Sequence, residues 1–230
     1  MESKIKLLWN TQDPEYQIVR ASRICYGSED KIDSRWEPTE HVQNIMVGKG
    51  LQVGVPLMKV KLGPSDEQLL KTIMKNQHNT CLRFASAAFN IKDVSHVCSH
   101  QLVRIAHFGI LQRSQRYCDD SNVEFSFPAE IKSHLDTNTY IESCKEMYKN
   151  MIKAGIKKED ARYVLPSASV TELNMVSNFQ GWKHFLNIRL AEKVQKETRE
   201  VAIEICKQLY DLAPIVFEVD FKKIKKLLKL

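Results

Sequence analysis

His100-Gln101-Leu102-Val103-Arg104, followed seven residues later by Gln112-Arg113-Ser114-Gln115-Arg116-Tyr117, is the densest polar stretch of the chain. Gln101 and Arg104 stand three apart, so on a helix they point the same way. Ser114 and Arg116 stand two apart and share a face if that segment is extended. Arginine forks match phosphate and carboxylate geometry, and a serine hydroxyl or backbone N–H completes such a cradle. Two readings stay open on this pattern alone: an anion-binding site, or a solvated charged loop after a core helix.

Working outward, Asp93 predicts the cap of a helix over roughly 94–108, with Val94, Val97, Leu102, Ile105 and Phe108 on its apolar side. Residues 82–91 alternate as a strand packing Leu82, Phe84 and Phe89. Ser65 and Gln68 have capping-box spacing for a helix running to about Asn76. Residues 14–26 read as a first helix. The Gly- and Pro-rich stretch 28–64 reads as turns or an inserted β-lobe. Helical patterns follow near 137–154 and 190–212, with a shorter one from Phe179. The class is α+β with helices dominating.

The chain has 230 residues, 43% hydrophobic and 27% charged, which suits one domain with a real core. Thirty-four basic residues against 28 acidic give a net charge of +6, more in keeping with an anionic ligand than with a nucleic-acid groove. The six cysteines form no C-x-x-C pair, so a zinc knuckle or redox motif is disfavoured. The start lacks a signal-peptide core, and no run of about 18 apolar residues could span a bilayer. Reduced thiols and a cytoplasmic location are expected, with no membrane partner.

A second constellation comprises Ala161-Arg162-Tyr163-Val164-Leu165-Pro166, then Asn178, His184 and Phe185-Leu186-Asn187-Ile188-Arg189. Arg189 sits among apolar neighbours, where an unpaired guanidinium is costly to bury, so it needs a protein or ligand partner.

These elements together resemble the flavin-dependent thymidylate synthases. The run ending in Ser114-x-Arg116 is similar to that family's Arg-His-Arg, spacer, Ser-x-Arg signature, with Arg104 at the first triplet position. Ala161-Arg162 to Pro166 resembles its Ala-Arg-x-x-Leu-Pro, Phe185 to Arg189 its Phe-Leu-x-Leu-Arg, and His78-Asn79-Thr80 its His-x-Thr/Ser. Ala21 to Tyr26 resembles its N-terminal helix.

The resemblance implies a single domain over 1–230, with helices packed around a mainly antiparallel sheet. It implies nucleotide contacts from Gln101, Arg104, Gln112, Arg113, Ser114, Gln115, Arg116, Arg162 and Arg189, with Arg116 and Arg162 on the phosphate. Arg189, Gln112 and Ser114 would serve the reaction, Arg189 facing the pyrimidine carbonyl side. Flavin contacts would come from His78, Thr80, Asn178, His184, Ile188 and Lys193. The implied chemistry is reductive methylation of dUMP to dTMP, with FAD, NADPH and methylenetetrahydrofolate, in a homotetramer with shared sites.

The flavin side departs from the pattern. Ile105 and Ala106 replace the triplet's His and second Arg, and Gly109 and Leu111 replace a hydroxyl and an amide in the spacer. Arg83 stands for a Glu, Gln180 for the Arg after Asn178, and Lys193 for a His. These changes predict weaker FAD binding. They also keep open a sister reaction, such as hydroxymethylation of dUMP or dCMP, and a non-catalytic nucleotide-binding homologue.

Other signals carry less. His96, His100 and His107 share a helical face but lack the Glu of an H-E-x-x-H site, so no metal is expected. Gly48-Lys49-Gly50 lacks P-loop spacing and predicts a turn. The basic tail Lys222–Lys229 reads as a solvated helix end, its lysines suiting the dipole.

Overall fold

The computed structural model describes residues 4–47, 51–134 and 136–229; the turn expected at Gly48-Lys49-Gly50 lies outside them. In chain order the regular elements are β1 (Ile5–Asn10), α1 (Pro14–Cys25), β2 (Arg35–Val47), β3 (Leu51–Lys61), α2 (Pro64–Lys75), β4 (Ser86–Ser95) and α3 (His96–Leu102). They continue with β5 (Gly109–Gln112), α4 (Ala129–His134), α5 (Thr137–Lys153), α6 (Lys158–Ala161), β6 (Val170–Asn178), α7 (Phe179–Arg189), α8 (Lys196–Leu212) and α9 (Pro214–Leu228). Two compact units are distinguished: one from residues 1–9, 87–177 and 184–206, the other from 10–86, 178–183 and 207–230.

The first unit holds the four-stranded sheet, in the order β1-β4-β6-β5. Five consecutive β4 residues, Ala87 to Ile91, are buried, so this inner strand reads as an apolar run without alternation. Its one buried amide, Asn90, donates to Glu172 and Asn174 on β6, both at 2.8 Å. β6 alternates instead, burying Thr171, Leu173, Met175 and Ser177. β5 pairs antiparallel with β6, from Gly109↔Val176 to Gln112↔Leu173. A Cβ at Gly109 would meet Val176 Cγ1 at 2.7 Å, which accounts for glycine at that register position.

Two expectations around β4 need correction. Residues 79–84 form a 3₁₀ turn and the strand runs 86–95, so Leu82 and Phe89 are buried while Phe84 stands 61% exposed. The helix expected over 94–108 is only His96–Leu102, and its cap is Ser95, whose hydroxyl accepts the Cys98 N–H at 3.0 Å. Asp93 adopts φ 52° within the strand instead. Glu197 fixes this junction by accepting from the Ser95 N–H at 2.9 Å and the Ser95 hydroxyl at 2.5 Å. The pattern read over 190–212 resolves into a helix starting at Lys196.

In the second unit, residues 28–64 supply the antiparallel hairpin β2/β3, with a register shift between Pro38 and Val42. Helix α1 buries Ile18, Val19 and Arg23, and Arg23 pairs with Asp66 on α2. The Ser65/Gln68 capping box does not form. Helix α2 opens at Gly63-Pro64, and the Asp33 carboxylate accepts the N–H groups of Ser65 (2.8 Å) and Asp66 (3.0 Å). Helix α9 packs Phe217 edge-on against Phe179, ring centroids 5.0 Å apart, and the basic tail continues it to Leu228. Among the described residues, no helix is long and apolar enough to cross a membrane.

Candidate nucleotide-binding site

All nine residues expected on the nucleotide belong to the first unit. Helix α3 ends at Leu102, so Arg104 lies beyond it in a turn, exposed, and does not share a helical face with Gln101. The Gln101 side chain donates to Gln195. From β5, Gln112 reaches back to the hydroxyls of Ser99 (3.1 Å) and Thr171 (3.2 Å).

Ser114 to Cys118 form a turn, so the condition under which Ser114 and Arg116 would share a face is not met. The Ser114 carbonyl accepts the Cys118 N–H at 2.9 Å, and its hydroxyl lies 3.3 Å from the Arg116 N–H. The turn leaves Gln115 half-buried and Arg116 exposed. Arg113 is spoken for: it pairs with the buried Asp120 and donates to the Asp119 carbonyl at 3.2 Å. Burial works against its charge and the Asp120 carboxylate more than restores it, so its pKa is raised.

Arg116 and Arg162 converge on one residue absent from the sequence expectations. Arg116 Nε and Nη2 both donate to Glu159 Oε2, at 2.9 and 2.8 Å, while Arg162 Nε donates to the Glu159 carbonyl at 3.1 Å. The Arg116 guanidinium holds the Glu159 carboxyl below its ordinary value. No sequence signal announces it, since the partner of its carboxylate stands 43 residues away.

Arg189, at the end of α7, donates Nη2 to the Gln101 carbonyl, and its Nε is buried with no hydrogen-bond partner. Burial lowers its pKa, the Cys98 thiol opposes that, and Arg104 adds repulsion. A buried guanidinium N–H without an acceptor is the place where a ligand oxygen would bring most. Behind it, Cys98 and Thr198 are fully buried and in contact at 3.4 Å.

A family model described as "Thymidylate synthase complementing protein" matches residues 6–215. The chain belongs to this family. Proteins named flavin-dependent thymidylate synthase are similar to it. One from Geobacter sulfurreducens is 31% identical over 93% of this chain and 85% of its own length. One from Thermococcus onnurineus is 32% identical over 93% and 82%. A third, from Pyrococcus furiosus, is 37% identical over 65% and 66%.

For a family whose relatives are named for flavin, the fit of the expected flavin residues matters. In the second unit, His78 and Thr80 are exposed at the start of the 3₁₀ turn, and His78 Nδ1 lies 3.0 Å from the Tyr26 hydroxyl. Arg83 Nε donates to Gln180 Oε1 at 2.6 Å, and Asn178 Oδ1 accepts the Gly181 N–H at 2.9 Å. In the first unit, His184, Ile188 and Lys193 are exposed. Ile105 is buried and Ala106 exposed, neither with a donor to offer. Taken within the second unit, the donor chemistry of His78, Thr80, Arg83 and Asn178 suits an anionic cofactor; within the first, Lys193 offers an exposed cation.

The three histidines do not share one helical face: His96 and His100 meet edge to face on α3 with ring centroids 6.4 Å apart, but His107 lies beyond the helix with φ 68°. Among the described residues, no group of three His, Cys, Asp or Glu side chains is placed to hold a metal ion.

Proposed function

We propose that this chain transfers a one-carbon unit to C5 of a pyrimidine deoxynucleotide, as the reductive methylation of dUMP to dTMP. The supporting observation is two features of one unit: Arg116 and Arg162 both bonded to Glu159, one through its carboxylate and the other through its carbonyl, and the unpartnered Nε of Arg189. The first is suited to a phosphate monoester and the second to a carbonyl oxygen that gains negative charge.

In this reading Arg116 and Arg162 bind the phosphate, with the backbone N–H groups around Ser114 and Gln115 beside them. Gln112, held by Ser99 and Thr171, is a rigid amide able to orient the base. Arg189 stabilises charge on the ring, and its burial makes that interaction stronger than it would be in water. No side chain is required as nucleophile, because alignment of ring and co-substrates supplies much of the rate. His78, Thr80, Asn178, His184, Ile188 and Lys193 would hold FAD, which when reduced supplies the hydride. Methylenetetrahydrofolate is the carbon donor and NADPH the electron source. The reading includes a cytoplasmic homotetramer.

Incubation of the purified protein with dUMP, FAD, NADPH and methylenetetrahydrofolate, followed by chromatography of the nucleotides, tests this. Formation of dTMP is expected; no C5-modified product from dUMP would overturn it. Ile105 and Ala106 favour one second reading, a hydroxymethyl transfer with altered flavin use, which the same chromatogram separates by product mass.

A further inference from the structure

The arginine proposed for the phosphate already holds a carboxylate. Both its Nε and its Nη2 donate to the same oxygen, Glu159 Oε2, at 2.9 and 2.8 Å. One further contact draws the segment carrying Glu159 onto the Ser114 turn, and a second holds that segment's own fold. Lys158 Nζ donates to the Tyr117 carbonyl at 3.0 Å, and Arg162 folds back onto the Glu159 carbonyl. The pair is open to solvent, with the Arg116 side chain 55% and the Glu159 side chain 36% exposed.

We infer that Glu159 is an internal stand-in for the nucleotide phosphate, occupying the fork of Arg116 until a phosphate monoester displaces it. The inference rests on the proposed function above. A carboxylate brings one negative charge and two oxygens; a phosphate monoester brings about −1.5 to −2 charges at neutral pH and three oxygens. The monoester therefore wins the fork. An exposed ion pair is weak, so giving it up opposes binding only modestly. Weaker anions lack that advantage, and Glu159 raises the threshold they must pass. Discrimination then comes from an installed competitor as well as from attraction. Glu159 is a positioning residue in this scheme, acting on the nucleotide through Arg116.

The test is a double-mutant cycle read by calorimetric titration with dUMP and, separately, with deoxyuridine. Glu159→Gln is expected to tighten dUMP binding about two- to fivefold, the scale of an exposed ion pair, and to leave deoxyuridine binding unchanged. Glu159→Asp, which keeps the charge with a shorter reach, moves dUMP affinity the same way by less. In an Arg116→Gln background the Glu159→Gln change has no further effect on dUMP, a non-additivity that a merely structural role would not produce. The inference is overturned if Glu159→Gln leaves dUMP affinity unchanged or weakens it, if it shifts deoxyuridine equally, or if its effect persists without Arg116. Any of these with dUMP bound by the wild type leaves the proposed function standing; a wild type that binds no dUMP removes both.

Discussion

Arg23 and Asp66 form a buried ion pair at 2.8 Å between α1 and α2, their side chains 6% and 0% exposed. Asp66 Oδ1 takes both Arg23 nitrogens, while Oδ2 accepts from the Ser34 hydroxyl and from the N–H groups of Asp33 and Ser34. Burial pushes the Asp66 carboxyl up, but the Ser34 and Arg23 hydrogen bonds, with those from the backbone, outweigh it and hold its pKa below the ordinary value. Asp66→Ala should therefore destabilise the fold by about 3–5 kcal/mol, the penalty for stranding a buried charge. Urea denaturation measures it.

The same group fixes a pH dependence. With the folded pKa depressed, the unfolded chain binds more protons in the window between the two values. The stabilisation is present in full above the ordinary Asp value of about 3.9 and is lost as pH falls through the lower folded value. Urea midpoints followed downward from pH 5 should show this acid loss in the wild type. The part due to Asp66 should be missing from Asp66→Ala.

Arg116→Ala and Arg162→Ala should each weaken dUMP binding roughly tenfold to a hundredfold, the range for losing a charge-assisted hydrogen bond. Lysine at either position should recover only part of it, because the fork is lost. Wild-type affinity in both alanine variants, read by calorimetry, would remove the phosphate assignment.

Protein purified without added flavin should be colourless or nearly so. Ile105 and Ala106 present no donor, and the Arg83 Nε–H is engaged by Gln180. Each missing charge-assisted bond forgoes about 1.5–3 kcal/mol, which over two positions brings a tight cofactor to micromolar affinity. A visible spectrum before and after dialysis decides it, a stoichiometric yellow complex being the contrary result.

Cysteine labelling should be ordered by environment. Burial pushes the Cys98 thiol up to about 12 despite the Thr198 hydrogen bond, and Cys206 is also buried, whereas Cys25 is exposed. Thiolate is the reactive form. Iodoacetamide at pH 8 should modify Cys25 first and leave Cys98 and Cys206 intact until the protein is unfolded, as peptide mass spectrometry would report.

The elements legible in the sequence were those with undisturbed periodicity. Helix α1 and helix α5 fall where their apolar spacing put them, and the Gly/Pro-rich 28–64 supplied a hairpin. Error concentrated at residues 79–96. Leu82, Phe84 and Phe89 mimic alternation across a 3₁₀ turn, while the inner strand β4, buried without a break, has no period to read. Asp93 and Ser95 are both good cap residues, and only the Glu197 contact from α8 distinguishes them. The α2 cap from Asp33 was hidden because it comes from outside the helix. At the site, the residues proposed for the nucleotide come from the family signature. The Ser114 turn and the Arg116–Glu159 pair were not legible, since both depend on how distant segments meet.

The sheet order also sets when the first unit can be finished during synthesis. β1 emerges first from the ribosome, yet its neighbour β4 begins at Ser86, and Glu197, which pins the start of α3, follows more than a hundred residues after that strand starts. Vectorial folding from the N-terminus is therefore unavailable to this unit. A chain halted after about residue 150 would carry β1 and β4 without β6, an unpaired strand face of the kind that recruits chaperones or aggregates.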